Sequence, residues 1–262
     1  MNKKVILVKN LVKKFGSFVA NDNLSFEVYE GEIFGFLGAN GAGKTTALRI
    51  LSGLSEPTSG EVIVAGYNAK KEPEKIKKNI GYMSQKFSLY DDLTVKENIM
   101  LYGGIYGMRK VLIKERTEKL LDKLKFHDYG DRLISDLPLG FKQKLAFSVA
   151  VFHDPEIVFL DEPTGGVDPV TRRQFWEMIY ETAEKGITVF VTTHYMDEAE
   201  YCDRISIMSE GRIVALDTPA ELKRQYKAKS VEEVFVKIAR PDGLLNSSAG
   251  DVKLHTDTKT IL

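Results

Sequence analysis

The sequence predicts an α/β fold built on a mainly parallel sheet, with a helical segment inserted into it. Strand patterns alternate with helix patterns at both ends of the chain, which is typical of a parallel sheet. The stretch from residue 91 to about residue 153 has helical patterns only. In addition, a buried-strand pattern over 32–38 runs into a glycine-rich loop and then a helix pattern over 47–54.

The first half of the chain supplies strands and then helices. Short apolar or alternating runs at 3–9 and 24–30, and the run SGEVIVAGYN at 59–68, predict strands. Three helices follow. The first opens with a capping box formed by Thr94 and Glu97. The others are an amphipathic helix over 111–126 and a more buried one over 141–152.

The second half returns to strands after Pro155. EIVFL and ITVFVTTH predict strands on either side of a helix that a glycine ends. RISIMSEGRIVAL predicts a hairpin turning at Glu210-Gly211. A last helix is predicted to begin with a Thr218 cap, Pro219 at its first position and Glu221 closing a capping box. The final ~20 residues have no clear periodicity and receive no assignment.

Composition limits the kind of protein. The 262 residues are 43% hydrophobic, enough for a sizeable core. Lysine plus arginine equals aspartate plus glutamate, at 37 each, so we expect no nucleic-acid partner that depends on phosphate neutralisation. The single cysteine, Cys202, cannot form an internal disulfide, which suits a reducing compartment.

No apolar run approaches the ~18 residues that a membrane span needs. The basic start of the chain has only a four-residue apolar stretch, VILV, and does not resemble a signal peptide. We therefore expect a cytoplasmic protein that reaches a membrane only through a partner.

The segment GANGAGKT, Gly38 to Thr45, matches a phosphate-binding loop. Glycines allow several N–H groups to point at a phosphate, lysine adds a positive charge, and the threonine hydroxyl can bind Mg²⁺. The alternative is a glycine-rich turn with a coincidental lysine, but the position between a strand and a helix favours the loop. The candidate nucleotide-binding residues are Gly38, Asn40, Gly41, Ala42, Gly43, Lys44, Thr45 and Thr46.

An acidic pair ends the strand EIVFL. Asp161 is the candidate Mg²⁺ partner of the loop, and Glu162 the candidate general base for an attacking water. Two solvated acids at a strand end are the alternative, which is common in general but weak beside a phosphate loop.

These ordered motifs resemble the nucleotide-binding subunit of an ATP-binding cassette (ABC) transporter over roughly residues 3–225. The resemblance implies an adenine-stacking role for Phe15, a Q-loop role at the metal and attacking water for Gln85, a D-loop role for Asp168, and a γ-phosphate contact for His194. It also implies ATP and Mg²⁺ as cofactors, with Thr45, Gln85 and Asp161 as metal ligands.

The same resemblance implies a domain plan. A P-loop ATPase domain would occupy 1–225, with a mainly parallel sheet, an antiparallel β subdomain, and a helical subdomain inserted at about 87–155. Residues 226–262 would form a C-terminal extension.

The family's serine-glycine-glycine signature falls on LPLGF, residues 137–141, where only Gly140 is retained. Pro138 removes a backbone N–H and a hydroxyl, each able to give a charge-assisted hydrogen bond of ~1.5–3 kcal/mol. Backbone N–H groups and a helix N-terminus remain. We expect a weakened but working clamp. Pairing with a different ATPase subunit that has an intact signature is the alternative.

The segments DEPTGGVDPVTRRQFW and THYMDEAEYCDRISIMSEGRIVALDTP resemble the branch that exports drugs, polysaccharides and similar substrates. This implies separate membrane permease subunits, a second ATPase subunit in a homo- or heterodimer, and attachment to the inner face of the cell membrane through the permease. A non-transport ABC protein acting on ribosomes or DNA, and an unrelated P-loop kinase or GTPase, are the competing hypotheses.

Overall fold

The computed structural model describes residues 3–85 and 89–239. The strands in these residues are β1 (Lys4–Phe15), β2 (Phe18–Tyr29), β3 (Ile33–Gly38), β4 (Ser59–Val64), β5 (Tyr67–Asn68), β6 (Ile80–Met83), β7 (Ile157–Asp161), β8 (Thr188–Thr193), β9 (Arg204–Ser209) and β10 (Arg212–Asp217). The helices are α1 (Lys44–Leu51), α2 (Pro73–Asn79), α3 (Val95–Ile105), α4 (Lys110–Leu124), α5 (Leu139–Ala150), α6 (Pro169–Glu184), α7 (Pro219–Gln225) and α8 (Val231–Ala239). Short 3-10 segments occur at His127–Tyr129, Ile134–Asp136 and Met196–Tyr201.

The main sheet has the strand order β10-β9-β3-β8-β7-β6. All neighbours are parallel except β10, which pairs antiparallel with β9 at the edge. β3, β7 and β8 are buried along their whole length, as expected for parallel strands covered on both faces. Their carboxyl ends meet at one edge of the sheet, where ligands bind in open α/β folds. The prediction of a mainly parallel sheet is confirmed.

A second, antiparallel sheet with the order β2-β1-β4-β5 packs against the first. Aromatic side chains join the two layers. Phe26 of β2 stacks on Phe34 of β3, with ring centroids 5.7 Å apart and planes 8° from parallel. Phe190 of β8 packs against both rings at 6.3 and 5.5 Å. The predicted antiparallel β subdomain is thus present and shares its core with the parallel sheet.

The helical insertion consists of α3, α4 and α5, between β6 and β7. The predicted capping box at its start is confirmed: Thr94 Oγ1 accepts the Glu97 N–H at 3.2 Å, and Glu97 Oε2 accepts the Thr94 N–H at 2.8 Å. Residue 87, the predicted start of the helical subdomain, lies outside the described residues. The exact subdomain and domain limits therefore stay predictions.

Several elements differ from the sequence prediction. β1 continues to Phe15 instead of ending near residue 9, and β2 begins at Phe18 instead of near residue 24, because the two strands form one long hairpin. The predicted strand over 59–68 is two strands, since Ala65 and Gly66 turn the chain with φ of 50° and 79°. The short elements α2 and β6 were not predicted. None of the helices among the described residues is long and apolar enough to cross a membrane.

The predicted capping box at Thr218 is only half correct. Thr218 Oγ1 accepts the Glu221 N–H at 3.1 Å. The Glu221 carboxylate, however, binds Arg224 and Gln225. The Thr218 N–H instead donates to Asp217 Oδ1 at 2.8 Å. It is therefore not available for the hydrogen bond to Glu221 that a capping box needs.

The chain after Gln225 continues with α8, which packs on α7 and on the 3-10 segment Met196–Tyr201. Val231 and Val234 of α8 are buried in the core that also contains the parallel sheet. The first part of the predicted C-terminal extension is therefore attached to the ATPase fold. The residues from 240 onward, which received no assignment from the sequence, lie outside the described residues.

Candidate active site

The loop between β3 and α1 has the form that phosphate binding needs. Gly43 is the N-cap of α1 with φ of 98°, and a Cβ there would lie 2.3 Å from Ala20 O, so only glycine fits. At Gly41, φ is 83°, a left-handed conformation that favours glycine, although a Cβ there would meet no atom within 4 Å. The α1 N-terminus adds its partial positive charge.

The side chain of Lys44 occupies the centre of this loop. Its Nζ donates to Gly38 O at 2.7 Å and to Ala39 O at 3.1 Å. Burial lowers the pKa of Lys44 below its usual value, while Glu162 and Asp161 oppose that shift. The loop thus holds its cation close to where the outer phosphates of a nucleotide would lie.

Asp161 ends β7 directly opposite the start of α1. Its Oδ1 accepts the Thr192 hydroxyl at 2.6 Å and the Thr45 hydroxyl at 3.5 Å. Burial raises the pKa of Asp161, and the Thr192 hydrogen bond works in the opposite direction. A hydroxyl and a carboxylate facing each other beside a phosphate loop, with the Gln85 amide nearby, form an oxygen donor set that suits Mg²⁺.

Glu162 is the point at which the candidate catalytic residues meet. Its backbone has φ of 49°, a left-handed conformation that is uncommon outside glycine, and its N–H donates to Thr192 O and Oγ1, both at 3.1 Å. Its carboxylate accepts the Gln85 Nε2–H at 2.9 Å and lies 3.6 Å from Lys44 Nζ and 3.1 Å from His194 Nδ1.

Two clefts open on Glu162 and Gln85. One, of about 430 Å³, runs along the phosphate loop and is also lined by Phe18, Asn40 and Thr46. The other, of about 320 Å³, extends past His194 to Gly165. Glu162 and Gln85, the residues predicted to lie at the attacking water, therefore line both clefts. The phosphate loop lies along one cleft and His194 along the other.

A family model described as "ABC transporter" matches residues 21–165, more than half of the chain. The chain belongs to the ABC transporter ATP-binding family. Members of this family hydrolyse ATP to power transport.

Named relatives agree with this assignment. The "Probable multidrug ABC transporter ATP-binding protein YbhF" of Escherichia coli (strain K12) is 49% identical over 239 residues, which is 89% of this chain and 41% of that protein. The chain thus spans less than half of YbhF. The "Linearmycin resistance ATP-binding protein LnrL" of Bacillus subtilis (strain 168) is 36% identical over 88% of this chain and 75% of that protein.

Solved structures show the same fold. One titled "Structure of ATP binding subunit of ABC transporter" has a TM-score of 0.81 and 28% identity, covering 90% of this chain and 99% of that one. The "Dimeric structure of a post-hydrolysis state of the ATP-binding cassette MJ0796 bound to ADP and Pi" has a TM-score of 0.74 and 27% identity, covering 81% of this chain and 98% of that one.

The predicted adenine-stacking residue of this ABC protein, Phe15, is 56% exposed at the end of β1. Lys13 Nζ lies over this ring, 5.0 Å from its centroid. Phe18, its partner across the β1–β2 hairpin, lines the phosphate-loop cleft and was not singled out from the sequence. Its position in the same tight hairpin is the signal that could have identified it. The stacking role of Phe15 stays a prediction.

The degenerate signature forms the start of α5, with Pro138 as its N-cap. Among the backbone amides that follow Pro138, the Phe141 N–H donates to Pro138 O at 3.0 Å, whereas those of Leu139 and Gly140 have no acceptor within the described residues. The Phe141 ring stacks on Phe126 at 4.8 Å. Phe141 therefore serves the helical subdomain core, and two backbone donors remain available at this helix start.

Thr171 lies between Gly140 and Asp168 and is close to both. A Cβ on Gly140 would be 2.8 Å from Thr171 Cγ2, and the Thr171 hydroxyl donates to Asp168 Oδ2 at 2.5 Å. Asp168 also caps α6 by accepting the N–H groups of Val170 and Thr171 at 3.0 Å. The candidate D-loop aspartate thus has a structural role within its own chain.

Sequence reasoning missed three residues that support the site. Asn21 Nδ2 donates to Gly43 O at 3.0 Å, Gln143 Nε2 donates to Gly165 O at 3.2 Å, and Thr192 binds both Asp161 and Glu162. Only Thr192 had a usable signal, since it is the last residue but one of β8, the strand beside β7.

Proposed function

We propose that this chain is an ATP-hydrolysing component of an ABC exporter. The observation that carries the proposal is the meeting of Lys44, Gln85 and His194 around the Glu162 carboxylate, beside a phosphate loop. Such an arrangement can hold a terminal phosphate and a water next to one carboxylate base.

In the proposed reaction, Glu162 takes a proton from water while the water oxygen bonds to the γ-phosphorus. The bond from that phosphorus to the bridging oxygen breaks, and its electron pair leaves with ADP. Lys44 and the loop amides hold the phosphate oxygens, and His194 contacts the γ-phosphate. Thr45, Asp161 and Gln85 would hold Mg²⁺, which neutralises phosphate charge when it is bound.

We also propose that two ATPase subunits close around ATP. The two free amides at Leu139 and Gly140 supply a clamp for the opposite nucleotide, weaker than a full signature because the serine hydroxyl is missing. The presence of Glu162, Gln85 and His194 favours an active site over a dead one. A heterodimer with a partner that has an intact signature is the alternative arrangement.

The names of the relatives support export as the process that this chain powers. YbhF is named for multidrug transport, LnrL for linearmycin resistance, and a Cupriavidus metallidurans relative of 35% identity for Nod factor export. We propose that this chain likewise drives separate membrane permease subunits from the inner face of the cell membrane. The transport names favour this hypothesis over action on ribosomes or DNA.

Steady-state ATP hydrolysis by the purified chain, with and without its permease, tests the proposal. The Glu162→Gln variant keeps the size of the side chain but lacks the base. We expect it to lower kcat by about 10²–10⁴-fold, the usual contribution of a general base, while nucleotide binding is retained. Equal hydrolysis by Glu162→Gln and wild type would refute the proposal.

A further inference from the structure

A buried carboxylate behind the site links two of its loops. Glu198, in the 3-10 segment Met196–Tyr201, is 0% exposed. Its two oxygens are used separately: Oε1 accepts the Thr164 hydroxyl, and Oε2 accepts the Thr193 hydroxyl at 2.6 Å. Glu198 lines neither of the two clefts, so it does not reach a bound nucleotide.

Each of the two threonines adjoins a candidate catalytic element. Thr164 lies two residues after Glu162 and begins the loop that leads to Asp168. Thr193 immediately precedes His194, and its hydroxyl oxygen also accepts the Tyr195 N–H at 3.0 Å. Through these bonds a single side chain fixes the backbone on both sides of His194 relative to the loop after Glu162.

Arg172 of α6 lies beside both Glu198 and Tyr195. Its Nε lies 3.6 Å from Glu198 Oε1, and its guanidinium stacks over the Tyr195 ring at 4.4 Å. The Tyr195 ring in turn packs on the His194 ring, with centroids 4.2 Å apart. Arg172 also donates to Asp197 Oδ2 at 3.2 Å, so the Glu198 carboxylate lies beside, rather than alone holds, the cation that supports the ring next to His194.

We propose that Glu198 is a positioning residue, which fixes His194 against Glu162 and ties it to the Asp168 loop. This inference rests on the proposed ATPase function for its kinetic consequence. A buried ionised group is costly, and an apolar side chain of similar size would often be as stable. The reason to keep a carboxylate here is its two acceptor oxygens, which define one arrangement of two separate loops.

The kinetic test compares two glutamates of one segment. Since a displacement of about 1 Å in a site can cost 10²-fold, we expect Glu198→Ala to lower kcat about 10–100-fold with nucleotide Kd within threefold. Glu198→Gln can still accept from Thr193 and donate to Thr164, so kcat should stay within about threefold. Glu200→Ala is the control: Glu200 is exposed, its one ion pair among the described residues is with half-buried Lys223 at 2.6 Å, and its loss should leave kcat unchanged.

A double-mutant cycle separates positioning from general damage. If Glu198 acts through His194, then Glu198→Ala should have no further effect on kcat in a His194→Ala background. Multiplying effects would overturn the inference, as would wild-type kcat in Glu198→Ala. If Glu198→Ala does not fold, kcat can be compared between Thr193→Val, which lacks the hydroxyl, and Thr193→Ser, which keeps it. Equal kcat in that pair would overturn the inference.

An NMR measurement on nucleotide-free protein keeps this inference distinct from the proposed function. The chain has four histidines, so the imidazole ¹⁵N signals are few. We expect Glu198→Ala to shift the His194 signals and leave those of His127 unchanged. Unshifted His194 signals would overturn the positioning role. A wild-type protein without ATPase activity would instead refute the proposed function, whatever the His194 signals show.

Discussion

Replacing Thr192 with valine tests the structural description of the metal side of the site. Valine has the same shape, so no cavity forms. Two hydrogen bonds are lost: the hydroxyl donor to the buried Asp161 carboxylate, and one of two acceptors for Glu162 N–H. A hydrogen bond to a charged group contributes ~1.5–3 kcal/mol and a neutral one ~0.5–1.5 kcal/mol. Because Thr192 O still accepts from Glu162 N–H, we expect a loss of about 2–4 kcal/mol in the free energy of unfolding.

Urea denaturation followed by the fluorescence of Trp176 measures this loss, because Trp176 is the single tryptophan of the chain and is 2% exposed. Ser206→Ala is a matched control. It removes a buried hydroxyl from the parallel sheet whose oxygen has no hydrogen bond in the described structure, so we expect a change below about 0.5 kcal/mol.

The loss should also depend on pH. The Thr192 hydroxyl favours ionised Asp161 and lowers its pKa, so the valine variant has the higher folded-state pKa. The stability difference is therefore fully present where Asp161 is ionised in both proteins. It shrinks as pH falls from the higher folded-state pKa of the variant through that of the wild type. A Thr192→Val effect no larger than that of Ser206→Ala, or one that grows on acidification, would refute this reasoning.

Two further predictions concern ATP itself. If Phe15 stacks on adenine, Phe15→Ala should raise the Kd of a fluorescent ATP analogue about 5–150-fold, since base–aromatic stacking contributes ~1–3 kcal/mol. Phe18→Ala is the control within the same hairpin, and a larger effect there would transfer the role to Phe18. Restoring the signature with Pro138→Ser and Leu139→Gly in the Glu162→Gln background should tighten ATP-dependent dimers about 10–100-fold relative to Pro138→Ala in analytical ultracentrifugation, because the serine hydroxyl adds a charge-assisted hydrogen bond. Pro138→Ala supplies no hydroxyl and serves as its control, and unchanged dimer affinity in the restored variant would contradict the weakened clamp.

The fold was predictable where local pattern and tertiary role agree. The continuous apolar runs of β3, β7 and β8 predicted buried parallel strands, and they are buried along their whole length. The capping box at Thr94 was equally local. The capping box at Thr218 was half wrong, because Asp217 accepts the Thr218 N–H while Arg224 and Gln225 bind the Glu221 carboxylate, choices that spacing alone does not settle.

In the candidate site, the residues at the strand ends were predictable from the sequence. Asp161, Glu162 and His194 follow strands whose carboxyl ends share one edge of the sheet, so sequence order placed them together. Glu198 was not predictable, because an acid in the run MDEAEY looks like part of a solvated face. Its burial depends on Thr164 and Thr193 at precise positions in space, and one of these lies 34 residues away in the chain.

The central position of β3 in the parallel sheet has a consequence for synthesis of the chain. The strand that carries the phosphate loop ends at Gly38, yet both of its sheet neighbours, β8 and β9, begin only at Thr188 and Arg204. About 150 residues must leave the ribosome before this strand can find a partner. Nucleotide therefore cannot stabilise the early nascent chain, and the early apolar strand stays open to wrong pairing until the last third of the domain has been made.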